Sequence, residues 1–310
     1  MTKKYTIFKT LTYIISISTL FIFSPCHSAE VKKKKDIPFF SVLLPTYNRA
    51  NLLPNAIDSI LNQTYQDFEL IVLDDASTDS THELLNTYQQ KNDKIRVITL
   101  PKNQGVAHAR NILNQNAKGK YIALMDSDDK AHSTWLEQMH KFIMQHPNIE
   151  IILAKRTNQK NILWDKKLKN ILLENSFSNV GNVFLKQFVE KHNISYNADY
   201  FCGEDYDFWV QMLLKGAKVR YLNSKEPLVL FREHKQNSHN YYQECKIIRF
   251  TIREKIAQHL DINIKGKNFD IMCDVHDAFL KKYPDTFDKA EKEKDFQPCI
   301  LKKLNKQIRS

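Results

Sequence analysis

The stretch Tyr-Ile-Ala-Leu-Met-Asp-Ser-Asp-Asp at residues 121–129 decides how the rest of the chain is interpreted. Its apolar first half is short enough for a strand buried in a parallel sheet. Because carboxylates cannot stay in an apolar core, Asp126, Asp128 and Asp129 must emerge at the carboxyl end of that strand. Ligands bind at this edge of open α/β sheets. The stretch predicts a divalent-cation site or, since Asp and Ser also favour such positions, a turn and helix cap.

Strand-like and helix-like segments alternate on both sides of this stretch. Strands are predicted at 39–44, 68–73, 95–100, 121–125 and 149–153, and helices at 51–63, 77–90, 105–117 and 133–145. This α/β alternation implies a mostly parallel sheet with right-handed crossovers and helices on both faces. Pro45 is expected to close the first strand, and Gly119 to close the helix at 105–117. No glycine-rich phosphate loop of the GxGxxG or GxxxxGK[ST] type occurs, so a nucleotide at this sheet would be held differently.

The composition of the chain fits a globular protein with charged ends. Its 310 residues, 42% of them hydrophobic, suffice for a large core in one or two domains. The formal net charge is +11, but residues 1–37 hold seven Lys and two acids, and residues 281–310 hold nine Lys or Arg and five acids. A nucleic-acid-binding surface should lie on the folded body, so nucleic acid is not a predicted partner. The basic ends fit contact with an anionic membrane surface, or solubility alone.

Residues 1–29 are predicted to be a signal peptide or an uncleaved signal anchor. Lys3, Lys4 and Lys9 precede an apolar stretch at 10–23, which is too short for an ordinary membrane span. Residues 30–37 then form a basic linker. The sequence therefore predicts a membrane-anchored or exported protein.

The cysteines leave the compartment open. The four that follow residue 29 are Cys202, Cys245, Cys273 and Cys299. They form no CxxC pair, so zinc is not predicted. Up to two disulfides are expected if the protein is exported, and free buried thiols otherwise.

Polar groups follow two other predicted strands. Asp74 and Asp75 end the second strand, and in a parallel sheet they share an edge with Asp126. The segment Pro-Thr-Tyr-Asn-Arg at 45–49 leaves the first strand at the same edge. One acidic strand end is suited to hydrogen-bond a base or ribose while the other holds a metal on a diphosphate. Tyr47 is placed either to stack on the base or to lie half-buried in the loop.

Several segments together resemble glycosyltransferase family 2. They are 40–49, 61–64 with 68–79, 103–105 with 109–111, and 126–129, in the order and spacing of that family within residues 38–240. The resemblance implies a GT-A fold with a Rossmann-like sheet, and sugar transfer with inversion from a nucleotide-sugar, most often a UDP-sugar. It also implies Mn²⁺ or Mg²⁺ as cofactor. The acceptor would be a hydroxyl of a glycan, a lipid-linked compound or a protein, in glycan or polysaccharide biosynthesis.

The resemblance also implies roles for individual residues. Asp75 matches the acid that hydrogen-bonds the base, and Arg110 lies in a segment near the nucleotide, although a helix-surface ion pair is the alternative. The full set implied to bind nucleotide is Pro45, Thr46, Tyr47, Arg49, Asp75, Arg110 and Asp126. The implied metal ligands are Asp128 and Asp126, with His234 approaching the metal or the diphosphate; a surface histidine is the alternative. Asp129 extends the acidic motif.

The segment Gly203–Trp209 resembles the glutamate–aspartate motif of the family at the start of a helix. The resemblance makes Asp205 the catalytic base, whereas the residue types alone also fit acids that cap a helix N-terminus. Replacement candidates for that role are Glu204 and Asp207.

The predicted domain spans residues 38–245, with a nucleotide-binding half at 38–153 and an acceptor half at 154–245. Residues 246–310 form a basic helical C-terminal extension that packs on the domain, contacts a partner or lies on a membrane. Two alternatives to a glycosyltransferase are a nucleotidyltransferase, whose usual glycine-rich loop is absent from 45–49, and a non-catalytic nucleotide-sugar-binding protein.

Overall fold

The computed structural model describes residues 37–157, 177, 179–232, 242–261, 278–279, 281–283 and 286. The elements in chain order are β1 Phe40–Thr46, α1 Leu53–Leu61, β2 Phe68–Asp74, α2 Thr81–Lys91, β3 Ile95–Thr99, α3 Val106–Asn116, β4 Tyr121–Leu124, β5 Lys130–Ala131, α4 Trp135–Gln145, β6 Ile151–Ala154, β7 Val183–Leu185, α5 Lys186–Lys191, α6 Glu204–Leu214, β8 Val219–Leu222, β9 Val229–Leu230 and α7 Tyr242–His259. Strands and helices alternate as the sequence pattern predicts, with ends that differ by a few residues.

The main sheet has the strand order β3-β2-β1-β4-β7-β6-β8. Parallel ladders join β3 to β2, β2 to β1, β1 to β4 and β6 to β8, whereas β7 runs antiparallel to both β4 and β6. A second, two-stranded sheet pairs β5 with β9. The prediction of a mostly parallel sheet is therefore confirmed, and β7 is the strand that reverses direction.

Successive side chains of the central strands enter two separate apolar layers. Val42 and Leu44 of β1 pack in the layer that contains α1 and α4, whereas Leu43 packs in the layer that contains α3, α6 and α7. Each of these three side chains is at most 1% exposed. Burying a side chain of this size stabilises a fold by about 1.5–3 kcal/mol. Helices on both faces therefore fix β1 at the centre and set where its carboxyl end lies.

Two predictions about single residues are wrong. Strand β1 continues through Pro45 to Thr46. The carbonyl of Leu43 accepts a hydrogen bond from the backbone N–H of Met125, just after the end of β4. Pro45, two residues later in β1, faces the same side of the strand, where β4 has already ended. The N–H that proline lacks therefore costs no hydrogen bond of the sheet. Gly119 does not cap α3, which ends at Asn116. A Cβ on Gly119 would lie 2.4 Å from the backbone nitrogen of Ser41, so glycine is needed for close approach to β1.

The C-terminal part of the described chain packs on the domain. Helix α7 begins at Tyr242, before the predicted boundary at residue 245, and Ile252 and Ile256 are fully buried in the layer shared with α6. A disulfide joins Cys202 to Cys245 with a Cα–Cα distance of 5.9 Å. Cys273, Cys299, residues 1–36 and most of the predicted extension lie outside the described residues. No helix in the described ranges is long and apolar enough to cross a membrane.

Candidate functional site

The loops that follow β1, β2 and β4 meet at the carboxyl edge of the sheet. Because β1 lies between β2 and β4 and the three strands are parallel, Asp75 and Asp126 are at the same edge, as predicted. The first two loops are joined side by side, since Asn48 accepts from the backbone N–H of Thr78 at 2.7 Å. Tyr47, which precedes Asn48, is 44% exposed. Its ring surface is therefore available to a ligand at this edge.

Asp75 is held by the start of α3. Its side chain is buried, and its two carboxylate oxygens accept from the backbone N–H groups of Gln104 and Gly105, each at 2.8 Å. Gly105 has a φ of +86°, a conformation that favours glycine. The helix N-terminus stabilises the negative charge. Each oxygen keeps a further lone pair, so the carboxylate is anchored yet still able to accept from a ligand.

Three carboxylates converge after β4. Asp126, Asp128 and Asp129 each offer one oxygen, and these oxygens lie within 4.8 Å of one another. Burial and the negative charge of Asp126 raise the pKa of Asp129 to about 8. Its Oδ2 is buried and has no hydrogen-bond partner in the described part of the chain. Hard divalent cations prefer such oxygen ligands, so this acid cluster, residues 126, 128 and 129, fits Mn²⁺ or Mg²⁺.

Two neighbouring segments close around the acid cluster. Arg49 Nη2 lies 3.8 Å from Asp128 Oδ2, which links the loop after β1 to the cluster. The backbone N–H of Arg232 donates to Asp129 Oδ1 at 2.8 Å, just beyond the β5–β9 pairing. The segment that leads to His234 is therefore tied to the acids. His234 itself lies outside the described residues, and its predicted ligand role stays a prediction.

Arg110 on α3 connects the acid cluster to α6. Its Nη2 donates to Asp126 Oδ1 at 3.1 Å, and its Nη1 donates to Glu204 Oε1 at 2.6 Å. The residue is 7% exposed. Although burial disfavours its charge, the carboxylates of Asp126 and Glu204 raise the pKa of Arg110 above its ordinary value. Both hydrogen bonds described for its guanidinium are therefore made to carboxylates of the site.

The acids in the first turn of α6 have different environments. Glu204 bonds to Arg110, and Asp207 accepts from Gln211 at 2.7 Å and from Lys255 of α7 at 3.3 Å. Asp205 is only half-buried, and its Oδ1 accepts from the backbone N–H of Tyr206 at 2.7 Å. Of these carboxylates, Asp205 is thus the one that combines partial exposure with a place beside the Arg110 network.

Asp205 and two acids of the cluster influence the pKa of the same residue, Arg156. Burial lowers the pKa of Arg156, and the negative charges of Asp129, Asp126 and Asp205 oppose that shift. Arg156 follows β6 by two residues. The negative charges of acids that follow β4 and of an acid on α6 therefore act on one cationic side chain, and the site combines a cluster of three carboxylates, a half-exposed carboxylate, the buried Arg110 and the partly buried Arg156.

Comparison with known protein families identifies the family to which the chain belongs. The glycosyl transferase family 2 model matches residues 41–208, more than half of the chain. The chain belongs to glycosyltransferase family 2. An uncharacterized glycosyltransferase of Haemophilus influenzae is 33% identical over 234 residues, covering 72% of this chain and 91% of its own length. The protein is therefore a glycosyltransferase.

Solved structures confirm the fold of this family 2 enzyme. The crystal structure of S. aureus TarS 1-349 in complex with UDP-GlcNAc has a TM-score of 0.60 at 20% identity, covering 78% of this chain and 71% of that one. The mannosyltransferase PcManGT from Pyrobaculum calidifontis, in complex with GDP-Man and Mn²⁺, has a TM-score of 0.55 at 18% identity, covering 87% and 80%. The GT-A fold predicted from the resemblance is thus confirmed.

The family 2 site also contains residues that sequence reasoning did not select. Arg156 has no predicted role because it follows a strand without a motif, and Glu204 is predicted only as a replacement for Asp205, not as the partner of Arg110. The bond of Asp75 to the start of α3 was also missed, although the Asn-Gln-Gly segment before that helix was a usable signal. Among the predicted nucleotide residues, Thr46 has a buried side chain and its carbonyl accepts from Asp75.

Proposed function

We propose that this enzyme is an inverting glycosyltransferase that moves a sugar from a nucleoside diphosphate sugar to an acceptor hydroxyl. The observation that carries the proposal is that Arg110 hydrogen-bonds both Asp126 of the acid cluster and Glu204, the residue next to the half-exposed Asp205. The proposal assigns the acid cluster to the donor site and Asp205 to the proton acceptor. The family assignment disfavours the nucleotidyltransferase alternative, and the retained acids disfavour a non-catalytic binding protein.

The donor is proposed to be a UDP-sugar. Tyr47 offers an exposed ring for the base, and Asp75 has lone pairs left to accept from it. Pro45 and Thr46 end β1, and Arg49 follows in the loop that carries Tyr47. The UDP-GlcNAc complex of the structural neighbour TarS supports this choice of nucleotide. Glycan, lipid-linked and protein hydroxyls are the acceptor classes to test.

Asp126, Asp128 and Asp129 would hold Mn²⁺ or Mg²⁺, with His234 as a further candidate. The Mn²⁺ complex of PcManGT supports the use of a divalent cation. When bound, such a cation supplies positive charge that stabilises the charge developing on the diphosphate. Asp129 is included because its buried Oδ2 has no other partner within the described ranges.

Asp205 is proposed to be the general base. Its carboxylate takes the proton of the acceptor hydroxyl while the acceptor oxygen forms its bond to the anomeric carbon. The bond from that carbon to the diphosphate oxygen breaks on the opposite face, and its electron pair leaves with the nucleoside diphosphate. Because a single displacement occurs, the anomeric configuration inverts.

The test is an assay of nucleoside diphosphate release from a panel of UDP-, GDP- and dTDP-sugars with Mn²⁺ or Mg²⁺, with and without simple glycosides as acceptors. We expect release from a UDP-sugar that depends on the cation, and a product of inverted configuration by NMR. Retained configuration would overturn the inverting mechanism. Absence of release and of binding for every donor would overturn the donor assignment.

We also propose that residues 1–29 attach the enzyme to a membrane and that the domain lies on the side where the donor is present. The proposal rests on the apolar stretch at 10–23 and the basic segments around it. Sequencing the N-terminus of the native protein tests it. An intact terminus in the membrane fraction is expected, whereas a mature chain that begins near residue 30 in the soluble fraction would overturn the anchor.

A further inference from the structure

We propose that Arg110 is a positioning residue that holds Asp126 of the acid cluster and the first turn of α6, which carries Asp205, in one ion-pair network. The proposal rests on the proposed function, because Asp126 and Asp205 take their roles from it. Arg110 is thereby given a role different from contact with the nucleotide.

The network is short and largely buried. The exposed fractions of the side chains are 8% for Arg110, 11% for Glu204 and 33% for Asp126, with the distances of 2.6 Å to Glu204 and 3.1 Å to Asp126 given above. Ion pairs with little exposure are weakly screened by salt. Asp126 and Glu204 contact the two terminal nitrogens of one rigid, planar guanidinium. A displacement of either carboxylate therefore changes the contact to the other.

The guanidinium is itself fixed by neighbouring groups. It lies over the ring of Tyr196, 5.6 Å from the ring centroid, and that ring stacks on Phe208 of α6 at 4.2 Å. The next residue, Asn111, exchanges two hydrogen bonds of 2.8 Å with the backbone of Tyr196. The middle of α3 and the segment before α6 are thus held together independently of any ligand.

Glu204 connects the ion-pair network to the orientation of Asp205. It is the first residue of α6 and follows Gly203, whose φ of +77° turns the chain into the helix. Adjacent helical residues project at a fixed angle to each other. Anchoring the side chain of Glu204 therefore sets the rotation of the first turn and the direction in which Asp205 projects.

The network also links α6 to cation binding. Glu204 and Asp126 share the positive charge of Arg110. If Glu204 loses its carboxylate, Arg110 loses one of its two hydrogen-bonded carboxylates, and it competes more strongly with a cation for the oxygen of Asp126. A residue of the acceptor half is therefore expected to influence the cation requirement of the donor half.

The experiment measures UDP binding by calorimetry as a function of Mn²⁺ concentration, together with kcat and the melting temperature. We expect Glu204→Ala to raise the Mn²⁺ concentration for half-maximal UDP binding by about fivefold, which is an ordinary coupling between neighbouring groups. Glu204→Gln keeps an acceptor oxygen for Arg110 and should fall between Glu204→Ala and the parent. The matched control is Glu190→Ala, which breaks the ion pair with Lys186 on α5 and should stay within about twofold.

A double-mutant cycle on kcat separates positioning from two independent roles. We expect Arg110→Lys and Glu204→Ala each to lower kcat roughly 10- to 100-fold, since a small misplacement of a reacting group costs this much. The double variant should be no slower than the slower single variant. Arg96→Lys, which disturbs another ion-paired arginine on β3, is the control for the substitution itself.

The positioning role would be overturned if the kcat losses of the two single variants multiplied in the double variant, or if Glu204→Ala left the Mn²⁺ dependence unchanged. In either case, UDP binding by the parent protein would still support the donor site. If the parent protein bound neither UDP nor GDP with Mn²⁺ or Mg²⁺, the proposed function itself would fail. The two failures are therefore distinguishable.

Discussion

Arg110 and Glu204 are 94 positions apart in the sequence, yet Nη1 of Arg110 lies 2.6 Å from Oε1 of Glu204. The contact joins α3 to α6, the helix that carries Asp205. A buried, charge-assisted hydrogen bond of this length is among the stronger polar contacts in proteins. The two halves of the site are thus joined by side chains as well as by the sheet.

Replacement of Asp205 by Asn should stop chemistry without loosening the donor. The amide keeps the size of the side chain and caps a helix equally well, but it does not accept the proton. A general base contributes about 10²–10⁴ in rate, so kcat should fall by at least that order while UDP affinity stays within a few-fold. The measurement is turnover with calorimetry in parallel. Asp67→Asn, at an exposed acid before β2, is the control. Near-parent turnover in Asp205→Asn would remove Asp205 from the mechanism, and Glu204 or Asp207 would be tested next.

Replacement of Asp128 by Ala should abolish the cation dependence of UDP binding. The substitution removes one oxygen of the acid cluster and the partner of Arg49. A ligand at about 100 times its dissociation constant stabilises a fold by roughly 2.7 kcal/mol, so UDP with Mn²⁺ should raise the melting temperature of the parent protein only. Asp67→Ala, an exposed acid before β2, is the control. Undiminished Mn²⁺ dependence in Asp128→Ala would contradict the cation site.

Replacement of Asp75 should affect both stability and nucleotide affinity. Asp75→Ala leaves two backbone N–H groups at the start of α3 without their acceptor, and the loss of such a cap costs about 0.5–2 kcal/mol. Asp75→Asn keeps one acceptor oxygen and should lose less stability. Denaturant unfolding and UDP calorimetry on both variants measure the two effects. If UDP affinity is unchanged in a folded variant, Asp75 only anchors the helix.

Removal of the Cys202–Cys245 disulfide should destabilise the junction of α6 with α7. The two cysteines are 43 positions apart, and closing a loop of this length stabilises the folded state by up to about 4 kcal/mol in the chain-entropy description. Cys202→Ser with Cys245→Ser should therefore lower the free energy of unfolding. Reductant should destabilise the parent protein and leave the double variant unaffected. Equal stability of both proteins under oxidising conditions would show that the bond is not formed.

Much of the fold was predictable because its signals are local. The apolar run at 121–125 ends in acids, and the same pattern at 68–75 repeats it, so both strand ends could be assigned to one sheet edge. The antiparallel β7 carries no comparable signal, since three residues at 183–185 fit either direction. Pro45 and Gly119 were misjudged because their surroundings come from other strands. The neighbouring strand decides whether a position needs a backbone N–H, which proline lacks. It also decides whether there is room for a Cβ, which glycine lacks.

The sequence by itself determined the family, the order of the motifs and the edge of the sheet at which the acids gather, because these follow from residue type and spacing along the chain. Only the tertiary structure decided which acid of the α6 turn pairs with which cation, that Arg110 joins Asp126 to Glu204, and that Asp75 is held by α3. Such contacts link residues 16 to 94 positions apart. They depend on burial and on the angles between packed helices, and neither quantity is encoded by local spacing.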